Sequence, residues 1–330
     1  MKGPRVLTIV LNWRTPEMTL KSVAAARVAM AGIAGEILVV DNDSQDGSFE
    51  HIRDHVAGAG WADVRVIQSG RNGGFGAGNN VGIRAGLSDG GRPDYVYVLN
   101  SDAFPAPDAI RHLLDYLEAT PRAGFAGSLI HGPEGDTHLT TFRFPSIASE
   151  FEGAARLGPV TRLLSRKRVP VETPDAATRV DWLAGASLMM RQEVLDEIGL
   201  FDETFFLYFE ETDLCRRALK AGHEVHFVPD SRVAHIGSAS TGMKEWRRVP
   251  GYWFDSRAHY FAKNHGRAYL AAATLAHLAG GLVHRLRAAL SGRRPADPPD
   301  FLGDLARHAL GRKSAHSGRT PAPRLNGANG

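Results

Sequence analysis

Carboxylate and amide side chains close three apolar runs in the first hundred residues. Asn12 ends "VLTIVLN", Asp41 ends "EILVVD", and Asn100 and Asp102 end "YVYVLNSD". Hard divalent cations such as Mg²⁺ and Mn²⁺ prefer oxygen ligands, and one or two protein carboxylates usually share the ion with substrate phosphates. Asp102 on a rigid strand end meets that demand. The alternative is a polar turn that simply terminates the strand.

The segment "VVDNDSQDGS", residues 39 to 48, follows Asp41 with small polar residues and a glycine. Such a segment often forms an Asx-turn that leads into a helix. A carboxylate at a strand end can instead accept hydrogen bonds from a nucleobase imide or a ribose, because open α/β sheets bind ligands there. The sequence leaves both interpretations open for Asp41.

A glycine-rich segment, "GRNGGFGAGNNVGIRAG", occupies residues 70 to 86 and contains Asn72 and seven glycines. It matches neither a Walker loop nor, in register, the G-x-G-x-x-G fingerprint. It is interpreted either as a flexible turn before a helix or as a loop that faces a phosphate.

An acidic cluster follows an aromatic run in "FFLYFEETDLCRR", residues 205 to 217. Acidic residues at a helix start ordinarily complement the helix dipole. The run "FFLYF" should be buried, however, which leaves Glu210, Glu211 and Asp213 at the edge of an apolar pocket. Burial raises the pKa of a carboxylate, and a raised pKa suits a general base.

His235 closes an apolar strand in "VAHIGSAS", residues 233 to 240. A histidine in that position is more often structural than a ligand. Imidazole is nevertheless a good ligand for Mn²⁺-like ions. His235 is therefore a candidate ligand only in the company of other ligands.

Four apolar runs in the first hundred residues have to position Asn12, Asp41, Asn100 and Asp102. Each run is followed by a polar turn and a helix-compatible stretch. Runs rich in Val, Ile and Leu suit a parallel sheet that helices cover on both faces. The alternation predicts an α/β, doubly wound sheet, whose ligands bind at the carboxyl ends of the strands. The runs are "VLTIVLN", "EILVVDN", "VRVIQSG" and "YVYVLNSD".

The later chain is less uniform. Residues 131 to 180 are predicted to form an irregular, variable insertion. Residues 268 to 290 are helical in composition, but their uninterrupted apolar length is too short for a membrane span. The chain after residue 291 is rich in Arg, Pro, Gly and Ser and is predicted to be disordered.

Composition limits the class of protein. The 330 residues carry a net charge of +3 and are 43% hydrophobic, as in soluble globular proteins, and the basic residues are too dispersed to indicate a nucleic-acid partner. The lone cysteine, Cys215, excludes an intramolecular disulfide and fits a reducing compartment. The short opening run "VLTIVL" predicts a buried strand instead of a signal peptide.

Four blocks together resemble the family-2 inverting glycosyltransferases with the GT-A fold, especially the bacterial rhamnosyltransferase and galactofuranosyltransferase branch. The blocks are "VLNWRTPEMTLKSV", "ILVVDNDSQDGS", "YVLNSDAFP" and "FDETFFLYFEETDLCRRALKAGHEVHFVPDSRVAHIGSAS". The resemblance spans residues 5 to 265 and implies a mixed, Rossmann-like doubly wound sheet flanked by helices. It implies a catalytic domain (1–265) with a nucleotide-sugar-binding half (1–115) and an acceptor half (116–265). Composition adds a C-terminal helical extension (266–290) and a tail (291–330).

The resemblance also implies a role for each polar residue. Glu211 stands where the family carries its catalytic base, usually Asp. Asp102 and His235 match positions that hold Mg²⁺ or Mn²⁺, and Asn100 replaces the first acid of the Asp-x-Asp motif, as is common in this branch. The residues implied to contact the nucleotide-sugar donor are Asn12, Asp41, Asn72, Asn100 and Asp102, with Asp41 at the nucleobase. Those implied on the acceptor side are Trp182, Glu210 and Asp213, the last as an acceptor-orienting or structural residue.

The implied reaction is a metal-dependent, inverting transfer of a sugar to a hydroxyl of a cell-surface polysaccharide or a lipid-linked glycan. The donor that fits the branch best is dTDP-L-rhamnose. UDP-galactofuranose and UDP-N-acetylglucosamine are alternatives, because thymine and uracil present the same imide edge. A non-catalytic sugar-nucleotide-binding subunit would keep Asp41 and Asp102 but would not need Glu211.

Residues 266 to 294 leave two interpretations open. A basic, apolar helix can lie on an anionic membrane surface. It can also pack on the catalytic domain or at the interface of a homo-oligomer. We therefore expect a cytoplasmic protein, with peripheral contact at the inner face of the cell membrane under the first interpretation.

Overall fold

The protein is described by a computed structural model that covers residues 3–237, 248–295 and 297–311. Its strands, β1 to β11 in chain order, are Arg5–Asn12, Ala34–Asp41, Val64–Gln68, Tyr95–Asn100, Ala103–Pro105, Ala123–His131, Thr141–Phe142, Thr178–Val180, Trp182–Leu183, Ser187–Arg191 and Glu224–His235. Its helices, α1 to α11, are Pro16–Ala29, Ser48–Gly58, Phe75–Ala85, Ala109–Ala119, Ile147–Ala155, Gly158–Leu163, Gln192–Ile198, Glu210–Lys220, Gly251–His265, Arg267–Leu290 and Phe301–Ala309.

Nine strands form one mixed sheet in the order β3-β2-β1-β4-β10-β6-β11-β5, with β8 paired to β11. The first four strands are parallel, and β10 runs antiparallel between β4 and β6. The strand order reverses between β1 and β4, the kind of switch point at which open α/β sheets bind ligands. The predicted fold class, a mixed doubly wound sheet, is confirmed.

The central strands are buried on both faces, which explains why their sequences are almost continuously apolar. Helices α1, α2 and α4 pack on one face, through residues such as Leu20, Ile52 and Leu113. Helices α3, α7 and α8 pack on the other face, through residues such as Ile83 and Leu214. Each face buries its own apolar layer, which is the arrangement that the alternation of strands and helices predicts.

The strand register places the polar strand ends side by side. Asn12 is the Cα partner of Asp41, and Leu11 is the partner of Asn100. The carboxyl ends of β1, β2 and β4 therefore form one polar edge of the sheet.

The insertion at 131–180 is more regular than predicted. It contains the paired strand β7, the helices α5 and α6, the strand β8 and one 3₁₀ turn at Ser165–Lys167. Helix α5 begins with a capping box, because Ser146 Oγ accepts from the Ser149 N–H (3.2 Å) while Ser149 Oγ accepts from the Ser146 N–H (2.8 Å).

Helix α10 runs without a break through its two glycines, which allow close packing on both sides. A Cβ at Gly280 would lie 2.5 Å from the Phe151 carbonyl oxygen on α5, and a Cβ at Gly281 would lie 2.6 Å from the Leu302 side chain on α11. None of the helices in the described ranges combines the length and the apolar character needed to cross a bilayer.

Helix α11 lies inside the segment that the composition predicts to be disordered. It is held because Phe301 packs against Phe254 and because Asp304 pairs with Arg248 and Arg307. The prediction of disorder therefore does not describe residues 301–309, and the part of it that concerns residues 312–330 lies outside the described residues.

Candidate active site

Asp41 lies fully buried at the end of β2, where its carboxylate holds the turn that follows. Its Oδ1 accepts hydrogen bonds from Asn12 Nδ2 (2.7 Å) and Ser44 Oγ (2.6 Å), and its Oδ2 accepts from the Ser44 N–H (3.1 Å). Asn12 Oδ1 in turn accepts from Thr19 Oγ1 at 2.6 Å. Asn12 and Asp41 are both 0% exposed. The Asx-turn is thus formed, both side chains are buried in it, and the contact of Asp41 and Asn12 with a nucleotide stays a prediction.

Asn72 connects the glycine-rich segment to the end of β2. Asn42 Nδ2 donates to Asn72 Oδ1 (3.1 Å) and to the Gly74 carbonyl (3.2 Å), while the Gly74 N–H donates to Asn72 Oδ1 (3.0 Å). Asn42 Oδ1 is buried and has no hydrogen-bond partner within the part of the chain that the structure describes. Sequence analysis did not single out Asn42, although it directly follows Asp41.

The glycines of this segment let its backbone touch the aromatic run before α8. Gly74 has φ +89°, and a Cβ there would lie 1.7 Å from the Phe206 carbonyl oxygen. That same oxygen accepts a hydrogen bond from the Phe75 N–H at 3.0 Å. A Cβ at Gly76 would lie 2.9 Å from Phe201. Close approach of two backbone segments therefore explains these glycines, a reason that neither sequence interpretation included.

Asp102 and His235 meet where β5 pairs with β11. His235 is the Cα partner of Ala103, and its Nε2 lies 3.0 Å from Asp102 Oδ1 and 3.3 Å from Asn100 Nδ2. Asn100 is the last residue of β4, and Asp102 belongs to the turn that follows it. His235, which the sequence named in a separate segment, is thus brought to Asn100 and Asp102.

This pair has the chemistry of a partial metal site. In the ranges that the structure covers, no group of three or more His, Cys, Asp and Glu side chains could hold an ion. Asp102 and His235 offer one carboxylate and one imidazole at a common point, a donor set that suits Mn²⁺. An ion held by them would complete its shell with substrate phosphates and water, as divalent ions at nucleotide sites do.

Helix α8 begins directly after a strained stretch of backbone. Tyr208 and Phe209 both have positive φ, 71° and 70°. This region costs a bulky L-residue about 1–3 kcal/mol, and such strain concentrates at functional sites. The strain fixes the direction in which Glu210 and Glu211 leave the chain.

Glu211 carries a carboxyl group that is adjusted for proton transfer near neutral pH. Burial raises the pKa of Glu211 to about 7. Burial, together with the charge of Glu211, raises the pKa of Glu210 well above its usual range. The Oε2 atoms of both are buried and have no hydrogen-bond partner among the residues described. A carboxylate with such a pKa can take a proton from a hydroxyl.

A cavity of about 290 Å³ opens beside Glu211, and Trp182 forms part of its wall. Trp182 stacks on Phe142 with ring centroids 4.1 Å apart, and its Nε1 donates to the Arg143 carbonyl at 2.9 Å. An aromatic wall next to a carboxylate suits a sugar ring, which has an apolar face and polar edges. The other side chains that line the cavity include Glu150, Tyr208, Phe209, Trp253 and His277.

Asp213 does not line this cavity. It is 0% exposed and accepts hydrogen bonds from Arg217 Nε (3.0 Å), Lys263 Nζ (2.7 Å) and Asn264 Nδ2 (3.0 Å). Asp213 therefore attaches α8 to α9, which favours the structural role over the acceptor-orienting one. Glu210 is 2% exposed and also lies outside the cavity lining, so its position differs from the acceptor-side contact that the resemblance implies.

Two cavity residues, Glu150 and His277, were missed by sequence analysis. His277 Nδ1 lies 2.7 Å from Glu150 Oε2, which also accepts from Arg257 Nη2 at 2.8 Å. Burial opposes ionisation, but the His277 hydrogen bond and the Arg257 charge lower the pKa of Glu150. Glu150 comes from α5 and His277 from α10, and no spacing in the sequence connects them.

The short loop at Gly185 and Ala186 contacts both the end of β4, beside the Asp102–His235 pair, and the start of α8, where Glu211 lies. Gly185 lies against both the Phe75 ring and Glu211, since a Cβ there would be 3.2 Å from the ring and 3.9 Å from Glu211 Cβ. The neighbouring Ala186 carbonyl accepts a hydrogen bond from the Asn100 N–H at 3.1 Å. The end of β4 and the start of α8 are thus held to one loop.

Comparison with known families and proteins agrees with this arrangement. The family described as "Glycosyltransferase like family 2" matches residues 4–248. The chain is 34% identical over 221 residues to the N-acetylglucosaminyl-diphospho-decaprenol L-rhamnosyltransferase of Mycobacterium tuberculosis, covering 62% of this chain and 68% of that protein. It is 28% identical over 201 residues to the rhamnosyltransferase WbbL of Escherichia coli K12, covering 60% of this chain and 72% of WbbL.

Among solved structures, that of GalNAc-T7 with UDP, GalNAc and Mn²⁺ superimposes with a TM-score of 0.54 at 15% identity. The match covers 92% of this chain, and the chain spans only 54% of the GalNAc-T7 chain. The likeness is one of fold, and that fold is GT-A.

Proposed function

The chain belongs to glycosyltransferase-like family 2, and from that premise we propose that it transfers L-rhamnose from dTDP-L-rhamnose to a hydroxyl of a lipid-linked or polysaccharide acceptor, with inversion. The observation that carries this proposal is Glu211, a carboxyl group with a pKa of about 7 beside an aromatic cavity. A binding subunit would have no use for a base adjusted in this way.

Glu211 takes the proton of the acceptor hydroxyl while that oxygen attacks the anomeric carbon of the donor sugar. The bond between the anomeric carbon and the donor phosphate breaks, and its electron pair leaves with the nucleoside diphosphate. One displacement inverts the anomeric centre. With a pKa of about 7, Glu211 is about half ionised at neutral pH, and its ionised form is a stronger base than an ordinary carboxylate.

Asp102 and His235 are the residues that would hold a divalent cation on the donor side. When bound, Mg²⁺ or Mn²⁺ supplies positive charge that stabilises the leaving diphosphate. The GalNAc-T7 structure contains UDP and Mn²⁺ on the same fold, which supports this part of the proposal.

In the rest of the donor site, the hydrogen bonds that bury Asp41 suggest that it acts through the shape of its turn. We propose that Asp41 and Asn12 shape the turn against which the base lies. Asn72, which is only partly buried, is then a polar group that this turn offers to the nucleotide. Asn100 orients His235 through the 3.3 Å contact of its side chain.

The assignment of rhamnose is supported by the relatives, since both the M. tuberculosis and E. coli proteins are named as rhamnosyltransferases. The mycobacterial relative is named for a diphospho-decaprenol acceptor, which favours a lipid-linked sugar as the acceptor here. Trp182 would stack on that sugar in the cavity beside Glu211.

Titration of the purified protein with three donors tests the proposal. Heat of binding would be recorded for dTDP-L-rhamnose, UDP-galactofuranose and UDP-N-acetylglucosamine, each with Mn²⁺ and again with EDTA. We expect Mn²⁺-dependent binding of dTDP-L-rhamnose and, with a diphospholipid-linked N-acetylglucosamine present, release of dTDP. Preference for either UDP-sugar would replace rhamnose by that sugar, and donor binding without any transfer would favour the non-catalytic subunit.

A further inference from the structure

One side of α10 presents apolar residues to solvent. Four of its leucines are more than half exposed: Leu275 at 67%, Leu282 at 57%, Leu286 at 57% and Leu290 at 91%. With a turn of 100° per residue, the four lie within about 80° of arc and extend over about 22 Å of helix. We call this surface the α10 face. Ala271, Ala279, Val283 and Ala289 are exposed on the same side.

The opposite side of α10 is already occupied by the protein. Gly280 packs on α5, Gly281 on α11, and Ala288 is 5% exposed. The α10 face is therefore not the side that holds the helix in place, so its leucines have no packing role among the described elements.

The charge around the α10 face has one sign. Residues 267 to 294 contain five arginines and no aspartate or glutamate. Arg285 and Arg287 lie on either side of the leucine stripe, each about 100° from its centre, and Arg293 and Arg294 follow its end. Within the described ranges, none of these four arginines forms an ion pair.

We propose that the α10 face docks on the surface of an anionic lipid bilayer. An apolar stripe between flanking arginines is the pattern of helices that lie in the membrane interface, where the leucines enter the acyl boundary and the arginines meet anionic headgroups. The helix lies on the surface and does not cross, in keeping with the lack of any spanning helix in the described residues.

A second copy of the chain would be a poorer occupant. In a twofold dimer the same patch faces itself. Two α10 faces would then bring together arginines from both copies with no acidic residue of the helix between them. Anionic lipid removes that repulsion and adds attraction.

The docking orientation has a consequence that rests on the proposed function. His277 lies two residues after Leu275, about 200° around the helix, and lines the cavity beside Glu211. The cavity is thus about one helix diameter, roughly 10 Å, from the docked surface. A sugar carried on a membrane-embedded diphospholipid would meet the cavity at that height.

Flotation of the full chain with vesicles tests the docking without any donor or acceptor. Vesicles of phosphatidylcholine alone would be compared with vesicles in which about a third of the lipid is phosphatidylglycerol, a fraction that gives a strongly negative surface. We expect binding to the anionic vesicles only. The Leu282→Gln/Leu286→Gln protein should bind them at least about tenfold more weakly, because two buried leucines are lost.

The matched control is Leu139→Gln/Leu163→Gln, which changes two leucines that are 55% and 84% exposed outside α10, and it should bind as the wild type does. A second variant, Arg287→Glu/Arg293→Glu, should lose the preference for anionic lipid. The proposal is overturned if the wild type ignores anionic vesicles, or if light scattering shows a wild-type dimer that the leucine variant converts to monomer. Neither result bears on transfer to a water-soluble acceptor, so failure here is distinct from failure of the proposed reaction.

Discussion

His235 Nε2 lies 3.0 Å from Asp102 Oδ1, although 133 positions separate the two residues in the sequence. The antiparallel pairing of β5 with β11 creates this contact, because it sets His235 opposite Ala103. An imidazole and a carboxylate this close can share a proton between them or bind one cation together.

Replacing His235 by alanine should therefore weaken Mn²⁺-dependent donor binding by about tenfold or more. Binding in EDTA should not change, because the substitution removes a ligand of the ion and no contact to the base. Calorimetric titration with and without Mn²⁺ measures the difference. His112→Ala, on a histidine whose side chain is 41% exposed, is the control. Equal Mn²⁺ dependence in both variants would remove His235 from the metal site.

Activity should rise with pH as Glu211 loses its proton, with an apparent midpoint near its pKa of about 7. Glu211→Gln should lower kcat by about 10²- to 10⁴-fold and abolish this rise, while donor affinity is kept. The pH profile of kcat/KM for the acceptor measures both effects. Glu193→Gln, on a side chain that is 76% exposed, should behave as the wild type. A wild-type profile in the Glu211 variant would show that another group is the base.

The ionisation of Glu211 that raises activity should lower the free energy of unfolding. Folding raises the pKa of this group from 4.5 to about 7, so the neutral form is favoured and stability is lost as pH rises through that range. Glu211→Gln cannot ionise and should unfold with a free energy about 1–3 kcal/mol higher than the wild type above pH 7. Urea titrations at pH 5 and pH 8.5 test this, and an equal difference at both pH values would contradict it.

Gly74→Ala should destabilise the protein through a collision that the fold cannot relieve locally. Its Cβ would lie 1.7 Å from the Phe206 carbonyl oxygen. Gly70→Ala is a matched control, because Gly70 also has positive φ but no atom within 4 Å of its Cβ position. The free energy of unfolding should fall by about 1–3 kcal/mol more at Gly74 than at Gly70. Equal losses would mean that backbone conformation alone requires the glycine.

Asp213→Asn should loosen the attachment of α8 to α9 without altering the chemistry of the cavity. Lys263 and Arg217 would lose a buried carboxylate, at a cost of about 1–3 kcal/mol in unfolding free energy. The KM for the acceptor, measured under conditions where the variant is folded, should remain that of the wild type. Asp54→Asn, at a carboxylate that is 67% exposed, should cost almost nothing. A raised acceptor KM would restore Asp213 to the acceptor side.

The sequence predicted the strands and the polar residues at their ends because both depend on local pattern. Apolar runs of strand length predict the sheet. If its strands are parallel, Asn12, Asp41 and Asn100 must lie at the same edge. Glu211 could also be predicted from the sequence, since an acid directly after an aromatic run indicates a carboxylate at the edge of an apolar region.

What the sequence could not show depends on packing between distant segments. The enclosure of Asp41 by Asn12 and Ser44 is a matter of side-chain direction, which a one-dimensional pattern leaves undetermined. The contact of Glu150 with His277 joins residues 127 apart. Helix α11 was not predicted because its few apolar residues, such as Phe301, are stabilised only by packing against the distant helices α9 and α10.

The packing at Gly280 couples the evolution of α5 to that of α10. The stretch around α5 is the part of the chain expected to vary most, yet the backbone of α10 rests on it so closely that a methyl group at Gly280 would strike the Phe151 carbonyl oxygen. A change in the length or angle of α5 would thus require a compensating change in α10. Among related enzymes, changes in α5 and α10 should therefore occur together. A chimera that takes only one of the two helices from a paralogue should fold poorly and be insoluble.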